Sequence, residues 1–374
     1  MRSAAPSPAD WLLRAWRAPD SFAGMSAGTQ DLVLRLARRS GLLAALGARM
    51  TRASCLETLP ARIQDLFEGA RVIAADRERS VRWEVNRVQR AFYGSGLPVI
   101  LLKGAAYHLR ELPMAQGRLT ADVDLLLPEA DLPLAEQRLR AHGWMTVTPD
   151  PYDQRYYREW MHELPPMRHR TRLSELDLHH AILPRTARLH PDSARLLQAA
   201  QPVTDHPGVW TLCPEDLVLH AVVHQFHDGD FSRTGLRDLL DLDGLFTHYG
   251  QQDAFWERLL ERARLLNLTR PLDHALRCAA RVGRTPIPDG VLSAARRASP
   301  ASWPVRLLLD PLVTSTLLPR HPDQRRADPF TALAGWCLYL RAHWLRMPPQ
   351  LLIPHLARKW ARRWRFDVRP RRTV

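Results

Sequence analysis

Lysine is nearly missing from this 374-residue chain: of its 53 Lys and Arg residues, only Lys103 and Lys359 are lysine. A coding bias toward arginine is the simplest source of that pattern, so the formal net charge of +14 does not by itself mark a nucleic-acid binder. It does make a retained lysine informative, because a bland basic position in this chain is spelled arginine. Cysteine is also scarce. Cys55, Cys213, Cys278 and Cys337 make no C-x-x-C pair, which argues against a zinc ribbon or a disulfide scaffold and fits a reducing compartment. No run of about 18 apolar residues occurs, and the start lacks the charged, apolar and small-residue sequence of an export signal. Neither membrane spanning nor export is expected, and the expected location is the cytoplasm. With 45% hydrophobic and 25% charged residues the composition is that of a globular protein, which excludes wholesale disorder.

What is present divides into three parts, expected at 1–95, 96–212 and 213–374. From about Asp10 to Gln89, apolar residues recur at three- and four-residue intervals, the spacing of amphipathic helices. The texture then changes. LPVILL (97–102) is a continuous apolar run of strand length, and ADVDLLL (121–127) alternates before becoming fully apolar. Between them AAYHLRELP reads as a short helix stopped at Pro113, and LPLAEQRLRAHG reads as a second helix ended by Gly143. Further strands are expected at WMTVT, SELDLHHAIL (174–183) and GVWTL (208–212). The chain becomes helical again at Pro214, which suits a first helical position, with Glu215 and Asp216 at the positive end of the helix dipole. The expected fold class is therefore α+β, a mixed sheet flanked by helices, with helical N-terminal and C-terminal regions.

Asp122 and Asp124 lie two residues apart on an expected strand, so both side chains leave the same face while Val123 and Leu125 leave the other. Two like charges on a largely apolar strand call for a cation between them, and a hard divalent metal is the usual answer. Upstream, Lys103 and Gly104 end the preceding strand. The glycine leaves a small backbone turn where a polyphosphate can approach, and Lys103 or Arg118 supplies positive charge. In ELDLHH, Asp177 sits on another alternating strand and shares its face with Glu175 and His179. Two carboxylates on one strand and a third from a neighbour form the constellation that holds two magnesium ions for in-line phosphoryl displacement.

Together these stretches resemble the nucleotidyltransferase superfamily typified by DNA polymerase beta. The closer resemblance is to an uncharacterised bacterial nucleotidyltransferase family with a Lys-Gly turn where Gly-Ser is usual. The carriers are LLKGAAY (101–107), GRLTADVDLLL (117–127), ELDLHHAIL (175–183) and, less specifically, 217–246, with a looser echo at 344–359. The resemblance implies a mixed sheet flanked by helices, magnesium and a nucleoside triphosphate substrate. It implies that Asp122, Asp124 and Asp177 are the metal-binding and catalytic carboxylates, with Asp177 also a candidate base, and that Lys103, Gly104 and Arg118 bind nucleotide. It leaves the acceptor open. A small molecule, sugar or peptide is favoured over a long nucleic acid, since no nucleic-acid module accompanies the core.

Ala105 stands where the superfamily usually has serine, so phosphate binding must lean on backbone N–H groups, Lys103 or Arg118. The alternative is thus a nonenzymatic member that binds or scaffolds. A third alternative, a basic protein on nucleic acid or an acidic membrane surface, rests on the tryptophan- and arginine-rich stretch 330–366 and the basic tail 357–374, whose end is expected to be solvated. His220, His224 and His227 share nearly one helix face, yet lack the H-E-x-x-H pattern, so helix packing is favoured over zinc. Arg237, Asp238 and Asp241 are expected to form ion pairs and not to carry catalysis.

Overall fold

A computed structural model describes residues 6–148, 150–227, 231, 234–301, 303–324 and 326–367, with side chains described as far as 358. The end of the basic tail, 368–374, lies outside the described residues. The N-terminal helices are α1 (Pro8–Arg17), α2 (Ala27–Arg39), α3 (Leu43–Arg52) and the long α4 (Ala61–Phe92). Ser7 and Asp10 cap α1 reciprocally, each side chain meeting the other residue's backbone N–H.

The sheet follows. Its strands are β1 (Val99–Leu101), β2 (Asp122–Leu126), β3 (Trp144–Thr146), β4 (Met167–His169), β5 (Glu175–His179), β6 (Gln201–Pro202) and β7 (Val209–Thr211), in the spatial order β3-β4-β5-β2-β1-β7-β6. It is mixed: β2 pairs with β5 and β1 with β7 in parallel, and the other neighbours are antiparallel. The interleaved helices are α5 (Lys103–Leu109), α6 (Leu132–Ala141), α7 (Pro151–Arg155) and α8 (Ser193–Gln198). The α+β class and the mixed sheet between helices are thus those expected. β1 is buried along its whole length because it lies inside the sheet, which is why its sequence is unbroken Val-Ile-Leu.

Some boundaries differ. The stretch expected as a strand over 174–183 pairs only to His179; at His180 the backbone N–H turns to the carbonyl of His162, and Ile182 and Leu183 are buried in the turn that follows. Apolar residues there fill the core without extending the ladder. α5 begins at Lys103 and not after Gly104, and Pro113 opens a separate 3-10 turn, Pro113–Ala115. β4 and β6 are too short to leave a periodic signal.

The C-terminal helices are α9 (Pro214–Phe226), α10 (Gly235–Tyr249), α11 (Phe255–Leu265), α12 (Thr269–Cys278), α13 (Asp289–Ala298), α14 (Trp303–Leu317), α15 (Pro329–Arg346) and α16 (Pro349–Asp367). α9 starts as expected, with Pro214 in its first turn beside Glu215 and Asp216. One hydrophobic cluster runs through all three sequence regions, from Leu12 on α1 through the sheet to Leu338 on α15. Helices α5 and α9 pack together, which brings His220 toward the β1–α5 turn.

Candidate active site

Parallel pairing of β2 with β5 sets the register: Asp122 is opposite Glu175, Asp124 opposite Asp177, and Leu126 opposite His179. Strand alternation sends Asp122, Asp124 and Asp177 to one face. Val123, Leu125, Leu176 and Leu178 go to the other and are buried in the core. Asp124 is only 2% exposed, in a central strand, so its charge needs partners.

It has two, on one oxygen. Lys103 Nζ donates to Asp124 Oδ1 at 2.8 Å, and His179 Nε2 lies 2.9 Å from the same atom. A carboxylate only accepts, so the imidazole N–H points at it. Burial opposes ionisation of Asp124, but the Lys103 charge and the His179 hydrogen bond outweigh it and hold the carboxyl well below the usual range. Burial likewise opposes the Lys103 and His179 cations, and Asp124 raises both above their ordinary values. Lys103 reaches Asp124 from the β1–α5 turn with its backbone in the left-handed region, φ 45°. Such strain in a non-glycine residue persists where the surroundings enforce it.

Asp177 is in the opposite condition. Burial, with the Asp124 and Glu163 charges beside it, pushes its carboxyl up to about 7, and its buried Oδ1 has no hydrogen-bond partner. Asp122, nearer the strand start, is also raised, first by burial and then by Asp124. Glu163 joins from an isolated bridge to His179, with its Oε2 3.4 Å from His179 Nε2. His220 of α9 is buried, and burial together with the Lys103 charge pushes it well below its ordinary value, so it is neutral.

Asp124, Asp177 and His179 present donor atoms within 4.8 Å of one another, and so do His162, Glu163 and His179. No group of this kind among the described residues includes His220, His224 or His227. A buried carboxylate oxygen without a partner, beside a second carboxylate, fits a hard divalent cation with oxygen ligands. Asp122 stands one pleat away on the same face but outside the tightest group.

The remaining sequence candidates are placed differently. Gly104 is buried, and a Cβ there would meet Thr120 Oγ1 at 2.6 Å and Thr120 Cγ2 at 2.7 Å, with Arg118 Nη1 closer still. Its missing side chain therefore makes room for Arg118 and Thr120. Arg118 donates to Asp241 at 2.8 Å and to Thr120 Oγ1 at 2.9 Å, and walls a cavity of about 320 Å³ between α3 and α10. Asp241 thus pairs across the fold, whereas Arg237 and Asp238 pair on α10 as expected, 3.0 Å apart. Because Arg118 is pinned by Asp241 and Thr120 is buried, neither yields easily. Gly104→Ala is expected to destabilise the protein by about 1–3 kcal/mol, read as a lower urea midpoint at unchanged slope.

His179 was legible as a neighbour of Asp177 by alternation; its bond to Asp124 was not. Glu163 and His162 sit in an irregular segment between a π turn, Tyr156–Trp160, and β4, where no periodicity points to them.

Comparison with known proteins gives one match: residues 26–283, more than two thirds of the chain, fit the sequence model of a family described as uncharacterised nucleotidyltransferase. No curated protein and no solved structure matches. The matched span holds every residue of the carboxylate site and is wider than the 96–250 suggested by the motifs. It ends before 344–359, so the looser echo there is not part of it.

Proposed function

The chain belongs to the uncharacterised nucleotidyltransferase family, and on that basis we propose that it uses magnesium to move a nucleoside monophosphate from a nucleoside triphosphate to a small-molecule, sugar or peptide acceptor. The observation that carries the chemistry is the pairing of Asp124 with Asp177 across parallel strands, with an unpartnered buried oxygen on Asp177. Asp122, Asp124 and Asp177 would hold the metal, which supplies charge stabilisation for the phosphoryl oxygens when bound.

The chain's own residues do the rest. Asp177 takes the proton of the acceptor hydroxyl as that oxygen bonds to the α-phosphorus; the bond from the α-phosphorus to its bridging oxygen breaks, and pyrophosphate leaves. Lys103 balances charge on the triphosphate from the same face as Asp124. His179 fixes the orientation of Asp124, and Arg118 keeps the Gly104 turn in place through Thr120.

The test is purified protein with magnesium, each labelled nucleoside triphosphate and a cell extract as acceptor pool. Label transfer or pyrophosphate release is expected from the parent. An Asp122→Asn, Asp124→Asn double variant is expected to fall by about a thousand-fold or more, the rate equivalent of several kcal/mol of lost charge stabilisation. The buried Ala105, where the superfamily has serine, favours one other reading, a nucleotide-binding protein without turnover. Magnesium-dependent nucleotide binding by the parent without product would select it.

A further inference from the structure

A second feature lies beyond the matched span, in the last helices. At about 100° per residue, Phe330, Leu333, Trp336, Leu340 and Trp344 of α15 fall within an arc of roughly 120°. All five are exposed, from 38% to 60%, while Ala334 and Leu338 on the adjoining side are buried where α15 packs on α14. On α14, Trp303, Leu307 and Leu308 are each about two-thirds exposed, and so is Ile353 on α16. Folded chains seldom leave so many large apolar side chains in neighbouring elements facing water unless something covers them.

The charge pattern says what does. From Pro329 to Phe366 there is no Asp or Glu, against seven Lys or Arg residues, and the residues from 303 onward carry five of the chain's 12 tryptophans. Arg341 turns inward to the carbonyl of Phe226, but most of the basic residues follow on α16. A second copy of the chain would bring two carboxylate-free, positively charged segments together and is opposed by repulsion. A nucleic-acid backbone satisfies the arginines but offers nothing to Leu307, Leu308, Leu333 and Ile353. An acidic lipid surface satisfies both, with tryptophan at the headgroup level and aliphatic side chains below it. Among the described residues no helix is long and apolar enough to cross a membrane.

We propose that the exposed apolar face of α14–α16 docks the protein on an anionic membrane surface. The experiment uses the full chain and vesicles of phosphatidylcholine alone or mixed with phosphatidylglycerol, with co-sedimentation and tryptophan quenching by brominated lipid as readouts. Partition into the mixed vesicles is expected to exceed that into neutral ones by about ten-fold, and to fall by about ten-fold in a Leu333→Glu, Leu340→Glu variant. Both leucines are exposed, so the variant is expected to keep the parent's circular dichroism melt. Quenching of the parent reports insertion independently of that variant. Equal partition into both vesicle types, or no quenching, overturns the proposal. So does a vesicle-free dimer by light scattering that the variant dissolves, which assigns the face to a second copy. Duplex binding without vesicle binding overturns it in favour of nucleic acid.

Discussion

Asp177→Asn is expected to melt later than the parent in chelator at pH 8, while pyrophosphate release falls by about a thousand-fold or more. The opposite signs come from one cause. Asp177 is half-buried beside Asp124 and Glu163, and its carboxyl is raised from 3.8 to about 7. A folded-state pKa above the unfolded one means that the native protein binds the extra proton, so stability is full below about pH 4 and is lost as the pH rises through about 7. Above that range the metal-free fold carries an ionised carboxylate that its surroundings disfavour. Each pKa unit corresponds to about 1.4 kcal/mol, which sets the ceiling at a few kcal/mol. An isosteric amide removes the charge but keeps a polar group to satisfy, so a gain of about 1–2 kcal/mol is expected. The variant should also lose the fall in stability between about pH 4 and 7. Manganese should raise the parent's melting temperature and leave the variant's nearly unmoved. Destabilisation of the variant in chelator, together with equal metal stabilisation of both proteins, would falsify a metal role for Asp177 and make it a structural residue.

That divergence between stability and activity also explains which parts of the site could be read from sequence. The alternation of ADVDLLL fixes Asp122 and Asp124 on one face because a strand has a period of two, a local property. The meeting of Asp124 with Asp177 depends on parallel strands 53 positions apart finding one register. Nothing local encodes that register: alternation and metal chemistry suggest that the two strands are neighbours, and the pairing itself is a property of the fold. Pro214, Glu215 and Asp216 announce α9 through its terminus, whereas the approach of His220 to Lys103 depends on how α9 packs on α5. Arg118 was visible as a charge, but its partner Asp241 lies 123 positions away, so its pairing across the fold was not legible. Residues that break local rules, such as buried carboxylates on an apolar strand, were the ones sequence made conspicuous.

Lys103→Met is expected to lower metal-free stability by about 2–3 kcal/mol, because a buried carboxylate loses one of its two partners and keeps only His179. Magnesium should restore most of that loss. Asp124 Oδ1 faces the ammonium at 2.8 Å and cannot serve it and a divalent cation equally well, so the methionine variant should bind manganese more tightly than the parent when nucleotide is absent. In the parent, nucleotide should strengthen manganese binding, since triphosphate oxygens offer Lys103 another partner; in the variant this coupling should vanish. Lys103→Arg separates charge from shape. The guanidinium keeps the charge but is planar, rigid and suited to two-point contacts, whereas Asp124 Oδ1 already shares its lone pairs with His179. Because it keeps a charge beside buried Asp124, its stability in chelator is expected to exceed that of the methionine variant, and its transfer rate to be at least about ten-fold below the parent's. On the proposed function, that difference would account for a lysine here in a chain that otherwise favours arginine, since a compact ammonium could leave Asp124 for a phosphate. Unchanged manganese affinity and unchanged stability in the methionine variant would reduce Lys103 to a charge at the end of a strand.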